Sequence, residues 1–152
     1  YKFLQKARLM KIHPMVRGAL MRRNTWQSKD EAIEYFKGKN LFRKIPTEVI
    51  ENYVEGGLKK NDEGKFELLC KPEWEAANFR LSPDEIGFNL KKSKVPVKLI
   101  LPPNSYVCNK RSQNKLKRLM PQIEIVTVKD TTHMLPLENS DAVSNEINKF
   151  LT

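Results

Sequence analysis

Two apolar runs in the second half of the chain constrain its fold more than any other feature. Val95-Pro96-Val97-Lys98-Leu99-Ile100-Leu101 is dominated by β-branched and aliphatic residues, and Ile123-Glu124-Ile125-Val126-Thr127-Val128 repeats that character. Such runs read as strands of a buried parallel sheet. Between them, residues 110–120 read as a basic amphipathic helix with Leu116, Leu119 and Met120 inward, ended by Pro121. A strand, a helix and a strand at this spacing make a βαβ crossover. A last helix near 139–151, aligning Val143, Ile147, Phe150 and Leu151, completes the pattern. The expected fold class is therefore α/β. A two-stranded parallel sheet, however, leaves two unpaired edges and buries too little area to stand alone. The expectation is that an upstream stretch supplies the missing strands and that this sequence is a fragment. The start Tyr1-Lys2-Phe3-Leu4, neither an initiator methionine nor a secretory signal, fits that expectation.

The first half has a helical period instead. Phe3, Leu4, Ala7 and Met10 share one face, and His13-Pro14 interrupts it because proline disfavours the α region at the residue before it. Val16, Ala19 and Leu20 resume the period. Ser28-Lys29-Asp30-Glu31 predicts a capping box opening a helix that buries Ala32, Ile33 and Phe36 and stops at Gly38. Pro46-Thr47 opens the next helix, with Val49, Ile50, Tyr53 and Val54 on one side, and Gly56-Gly57 is expected to close it in a left-handed cap. Asn61-Asp62-Glu63-Gly64 reads as a polar turn, Phe66–Cys70 as a short extended segment, and Pro72 as the first residue of another helix. The expected division is a mainly helical segment over 1–90, with an extended piece near 65–70, and a sheet-bearing segment over 91–152.

Hydrophobic residues at 39% and charged residues at 30% place the chain among globular proteins, and no apolar run reaches the roughly 18–20 residues of a membrane span. Two cysteines make no disulfide framework, so Cys70 and Cys108 read as reduced thiols of an intracellular protein. No ligand pairs stand at zinc-site spacing. The formal charge is +10, and residues 1–44 hold twelve Lys/Arg against three acids while the remainder is close to balanced. Faces that read nucleic acid interleave their cations with aromatic or Gly-rich elements. Lys6, Arg8, Lys11, Arg17, Arg22 and Arg23 are interleaved with Leu and Met, as on a solvated helix face, and no nucleic-acid partner is expected. Trp74 and Phe79 read as helix packing, Met10, Met15 and Met21 as apolar filler, and Glu73 and Glu75 as charges favouring a helix N-terminus. His13, beside a proline in an irregular break, is given no catalytic role.

Ligands of open α/β sheets bind at the carboxyl ends of the strands. Two loops lie there: Pro102–Cys108 after the first strand and Lys129–Pro136 after the second. The second contains His133. A neutral imidazole there can take a proton from a hydroxyl and return it to a leaving group.

Thr132-His133-Met134-Leu135-Pro136-Leu137-Glu138, followed by a helix carrying Val143, Ile147 and Phe150, resembles the ending of the α/β-hydrolases. In that family a histidine after the last strand precedes a short loop and an acid opening the final helix. Val97–Leu101 and its loop resemble the family's seventh strand. Trp26-Gln27-Ser28, the helix around Tyr53, Gly57, and Leu69-Cys70-Lys71-Pro72-Glu73-Trp74-Glu75-Ala76 resemble the helical lid inserted after the sixth strand. The resemblance implies the C-terminal half of an esterase- or lipase-like serine hydrolase, with an acyl-ester substrate and His133 as the catalytic base. It implies a lid in residues 1–90, a partner in the absent N-terminal half, no metal or organic cofactor, and a cytoplasmic or peroxisomal location. The lid and the Lys/Asn-rich composition resemble fungal hydrolases of the peroxisomal lipase type, although the chain ends Phe150-Leu151-Thr152 without a Ser-Lys-Leu-like address.

Three departures accompany the match. Thr132 stands where the family has glycine. Asn104-Ser105 stands where an aspartate often orients the histidine, so the acid either follows the sixth strand upstream or is lost. The nucleophile elbow Gly-x-Ser-x-Gly does not occur. The alternative reading is a degenerate, non-catalytic scaffold or binding protein of the same fold.

Overall fold

The computed structural model describes residues 14–80 and 90–152. The helical face expected from Phe3 to Met10, and His13, lie outside the described residues. The described residues form two compact units, one built from residues 14–35 and 51–80, the other from 36–50 and 90–152.

In the first unit, α1 (Pro14–Leu20) begins at a proline, whose fixed φ suits the first helical turn. Its Val16 and Ala19 meet Ala76 of α4 (Pro72–Arg80), and Phe79 closes over them. Small side chains at this crossing let the two helices approach closely. Leu20, Met15 and Met21 were expected inward but are exposed, as is Trp74 at 64%. The period reads correctly, but its stripe is only Val16 and Ala19 wide. Arg22 pairs with Glu75 at 2.8 Å, so Glu75 serves an ion pair in the first turn of α4.

The helix α2 (Lys29–Lys37) has the expected serine cap: the Glu31 amide donates to Ser28 Oγ at 3.1 Å. The reciprocal bond falls one residue earlier than in a capping box, since Glu31 Oε2 accepts from the Gln27 amide at 2.7 Å. Arg23 also donates to Glu31, which holds that carboxyl below its usual range. The helix α3 (Thr47–Gly57) ends at the expected glycine pair but runs directly into β2 (Leu58–Lys60). The left-handed cap expected there is not formed: Gly64 is the one glycine with positive φ among the described residues.

Gly64 instead closes the polar turn. Asn61 Oδ1 accepts from the amides of Glu63 and Lys65, and the Gly64 amide donates to the Asn61 carbonyl at 2.9 Å. This turn joins β2 to β3 (Phe66–Leu68) as an antiparallel hairpin, and β1 (Thr25–Trp26) adds on the other side of β3. β1 and β2 were not anticipated from sequence. Both are two or three residues long, too short to show a period of two.

In the second unit, β4 (Val97–Leu101) and β5 (Ile123–Thr127) are adjacent parallel strands, in register from Val97 opposite Ile123 to Leu101 opposite Thr127. The crossover helix α5 (Lys110–Leu119) is capped by Asn109, whose side chain accepts from the Ser112 amide at 3.1 Å. Met120, at its C-terminal cap, is fully buried. A short helix α6 (Leu135–Glu138), which sequence reading assigned partly to a loop, precedes α7 (Ser140–Leu151). α7 lies on β4, and Lys98 Nζ ties the layers together by reaching Glu124 of β5 and Glu146 of α7, each at 3.0 Å. Val97 to Ile100 are only half-buried, and Ile147, Phe150 and Leu151 are exposed. The buried strand and inward helix stripe expected from sequence are thus only partly realised, because a sheet of two strands gives the flanking helices little surface to pack against. No helix among the described residues is long and apolar enough to cross a membrane.

Candidate functional site

Parallel pairing brings the carboxyl ends of β4 and β5 to the same edge, and with them the loops that follow. The two chains stay together one step beyond the ladder, where the Val128 amide donates to the Leu101 carbonyl at 2.9 Å. The second loop then turns sharply. Asp130 has φ of 58°, a left-handed conformation that is uncommon outside glycine and that persists only where surrounding bonds hold it. Two bonds do so. Lys44 Nζ donates to the Asp130 carbonyl at 2.9 Å, and the buried Thr131 donates through Oγ1 to the Val128 carbonyl at 2.8 Å.

The next residue fixes the histidine's backbone. Both the amide and the hydroxyl of Thr132 donate to the Glu138 carboxylate, at the end of α6. Thr132, which stands where the family has glycine, thus adds a hydroxyl bond that glycine could not make. The acid opening the last helical stretch holds the loop and does not reach His133.

His133 is exposed and stacks on Tyr106 of the β4 loop, ring centroids 4.9 Å apart and planes at 39°. That loop is itself tied down: Ser105 Oγ accepts from the Cys108 amide at 3.0 Å, and Gln113 of α5 donates to the Cys108 carbonyl at 2.9 Å. The two rings stand in an open depression of about 580 Å³, shared with Asn104, Asp130 and the turn Asn40–Lys44. Phe42 anchors that turn, buried against Phe36 with centroids 5.0 Å apart. Arg43 is steadied by Asn40 Oδ1 at 3.2 Å.

Sequence reasoning named His133 and Asn104 for this edge, and both line the depression. It missed Tyr106, Arg43 and Lys44. A solitary aromatic in the polar loop after β4 was the available signal for Tyr106. Nothing in residues 36–50 pointed to the sheet edge. Among the described residues no carboxylate bonds to His133, and Asn104-Ser105 supplies none.

Comparison with solved structures gives this edge a context. E-2-(acetamidomethylene)succinate hydrolase superposes with a TM-score of 0.76 at 16% identity, over 95% of this chain and 52% of that one. This chain is part of an α/β-hydrolase fold. The peroxisomal α/β-hydrolase Lpx1 of Saccharomyces cerevisiae matches with a TM-score of 0.74 at 15% identity, over 95% of this chain and 39% of its own. An esterase of Mycobacterium tuberculosis matches with 0.73 at 14%, over 97% and 50%. The chain therefore spans about half the length of the α/β-hydrolases it resembles. No protein-family model matches the sequence, and the search of curated proteins found no match. Identities this low carry the α/β-hydrolase fold and leave the chemistry to be argued from the residues.

Proposed function

We propose that this chain supplies the C-terminal part of a serine hydrolase acting on acyl esters, with His133 as its general base. The observation that carries the reading is the placement of the imidazole: exposed, in a depression at the carboxyl edge of the parallel strands, on a backbone pinned by Glu138. In this reading the nucleophilic serine comes from the remainder of the fold. His133 takes its proton as the oxygen attacks the acyl carbonyl, then gives that proton to the departing alcohol. Backbone amides of the remainder hold the oxyanion. Residues 1–90 act as a lid that shapes the acyl pocket, and residues 91–152 belong to the core. The reaction calls for no metal or organic cofactor. The hydrolases and esterase that the fold resembles are in keeping with it, and the peroxisomal neighbour is in keeping with a cytoplasmic or peroxisomal location.

A second reading, a scaffold that has lost catalysis, is favoured by one observation: the loop after β4 offers Asn104-Ser105 and no acid. A fluorophosphonate probe separates the two. The full-length protein should label covalently at a serine, and labelling should vanish with His133→Ala. A full-length protein that folds but takes up no probe supports the scaffold.

A further inference from the structure

The depression that holds His133 carries more positive charge than its own residues neutralise. Arg43, Lys44 and Asp130 line it, two cations against one acid. In the first half of the chain Arg22, Arg23, Lys29 and Lys65 each pair with a glutamate. Arg43 and Lys44 do not. The Arg43 guanidinium donates to Asn40 Oδ1 at 3.2 Å and the Lys44 ammonium to the Asp130 carbonyl at 2.9 Å, and both acceptors are neutral. Among the described residues neither side chain meets a carboxylate.

Both cations are held in place. They follow the short 3₁₀ turn Asn40–Phe42, and buried side chains flank them, Phe42 on one side and Ile45 on the other. The bond to Asn40, itself a lining residue, keeps the guanidinium at the depression and leaves four of its five N–H donors open. The bond to Asp130 sets the Lys44 ammonium on the loop that carries His133. The turn and the two loops of the sheet edge belong to the same compact unit.

We propose that Arg43, with Lys44 beside it, is a carboxylate subsite of the His133 site, so that the ester hydrolysed carries a free carboxylate on its acyl or its alcohol part. The proposal rests on the reading of His133 as the base and names the substrate class of that site. A concavity of about 580 Å³ takes a small molecule. A scissile carbonyl can stand at the imidazole while an acid group of the same molecule meets the guanidinium. The planar fork of arginine matches a carboxylate through two parallel N–H···O bonds. With His133 neutral and Asp130 counted, the lining has one net positive charge, which one carboxylate neutralises and a phosphate dianion exceeds.

The test compares matched esters with the full-length protein. Monoethyl adipate against ethyl hexanoate places the carboxylate on the acyl side, and acetoxybutyrate against butyl acetate places it on the alcohol side. In at least one pair kcat/KM should favour the charged ester by about 10-fold or more, as for a hydrogen bond to a charged group. That preference should shrink as salt rises from about 50 to 500 mM, since both cations are exposed. Arg43→Gln should cut the preference roughly tenfold. Arg43→Lys should keep part of it, which a merely structural role would not produce. The salt dependence needs no variant and serves if Arg43→Gln misfolds. Calorimetric binding of monoethyl adipate to the His133→Ala protein separates this proposal from the reading beneath it. Arg43-dependent binding, with no ester hydrolysed by the wild type, would overturn the catalytic reading and keep the subsite. Neither hydrolysis nor binding would overturn both. Hydrolysis with no preference for the charged ester, a preference indifferent to salt, or one that survives Arg43→Gln in a folded protein would overturn the subsite alone.

Discussion

Tyr106 and His133, from loops following different strands, stack with their ring centroids 4.9 Å apart. The contact orients an imidazole that no carboxylate holds among the described residues. Aromatic pairs of this kind contribute about 0.5–1.5 kcal/mol. Tyr106→Ala in the full-length protein should therefore lower kcat for ester hydrolysis about 2- to 10-fold, with Tyr106→Phe close to wild type. Equal losses in both variants would show that the hydroxyl, and not the ring, matters.

Glu138 accepts two bonds from Thr132. Glu138→Gln removes the charge and leaves a single carbonyl acceptor. The expected cost is about 1–2 kcal/mol in urea unfolding, with greater mobility of the His133 loop in hydrogen exchange. An unchanged unfolding midpoint would mean that the loop is held by other means.

The Lys98–Glu146 pair makes stability depend on pH at both ends of the range. The Lys149 ammonium, and after it Lys98, hold the Glu146 carboxyl below its usual range. Its contribution is present above the unfolded value, about 4.3, and is lost as pH falls through the folded one. The Glu146 carboxylate holds Lys98 above its ordinary value, against its burial and with help from Glu124. That contribution is full below the unfolded value, about 10.4, and is lost as pH rises through the folded one. Thermal midpoints should therefore fall below about pH 4 and above about pH 10.5. Glu146→Gln should flatten the acid limb. An acid limb as steep as wild type would contradict the assignment.

Ser28 caps α2 through the Glu31 amide at 3.1 Å. Ser28→Ala should cost about 1 kcal/mol of stability, and Ser28→Gly less, in thermal unfolding. Equal loss in both would place the effect outside the cap.

The βαβ unit was legible because its signals are local: two β-branched runs, an amphipathic stretch between them and a proline at its end. The antiparallel β1-β3-β2 sheet was not, since Leu58-Lys59-Lys60 and Thr25-Trp26 acquire strand character only by pairing with β3. At the site, His133 was readable from its position after a strand. Its supports were less so. Glu138 was noted as the acid of a helix, yet it bonds Thr132, and the turn Asn40–Lys44 reaches the same depression from far away in sequence. Long-range placement of this kind has no local sequence signature.

The central claim is that His133 performs the proton transfer. The measurement that tests it most directly is kcat/KM for a short-chain acyl ester with the full-length protein and its His133→Ala variant, with unfolding curves for both. The account predicts a fall of roughly 10⁴-fold or more with stability nearly unchanged. Near-normal esterase activity in a folded His133→Ala protein would contradict it.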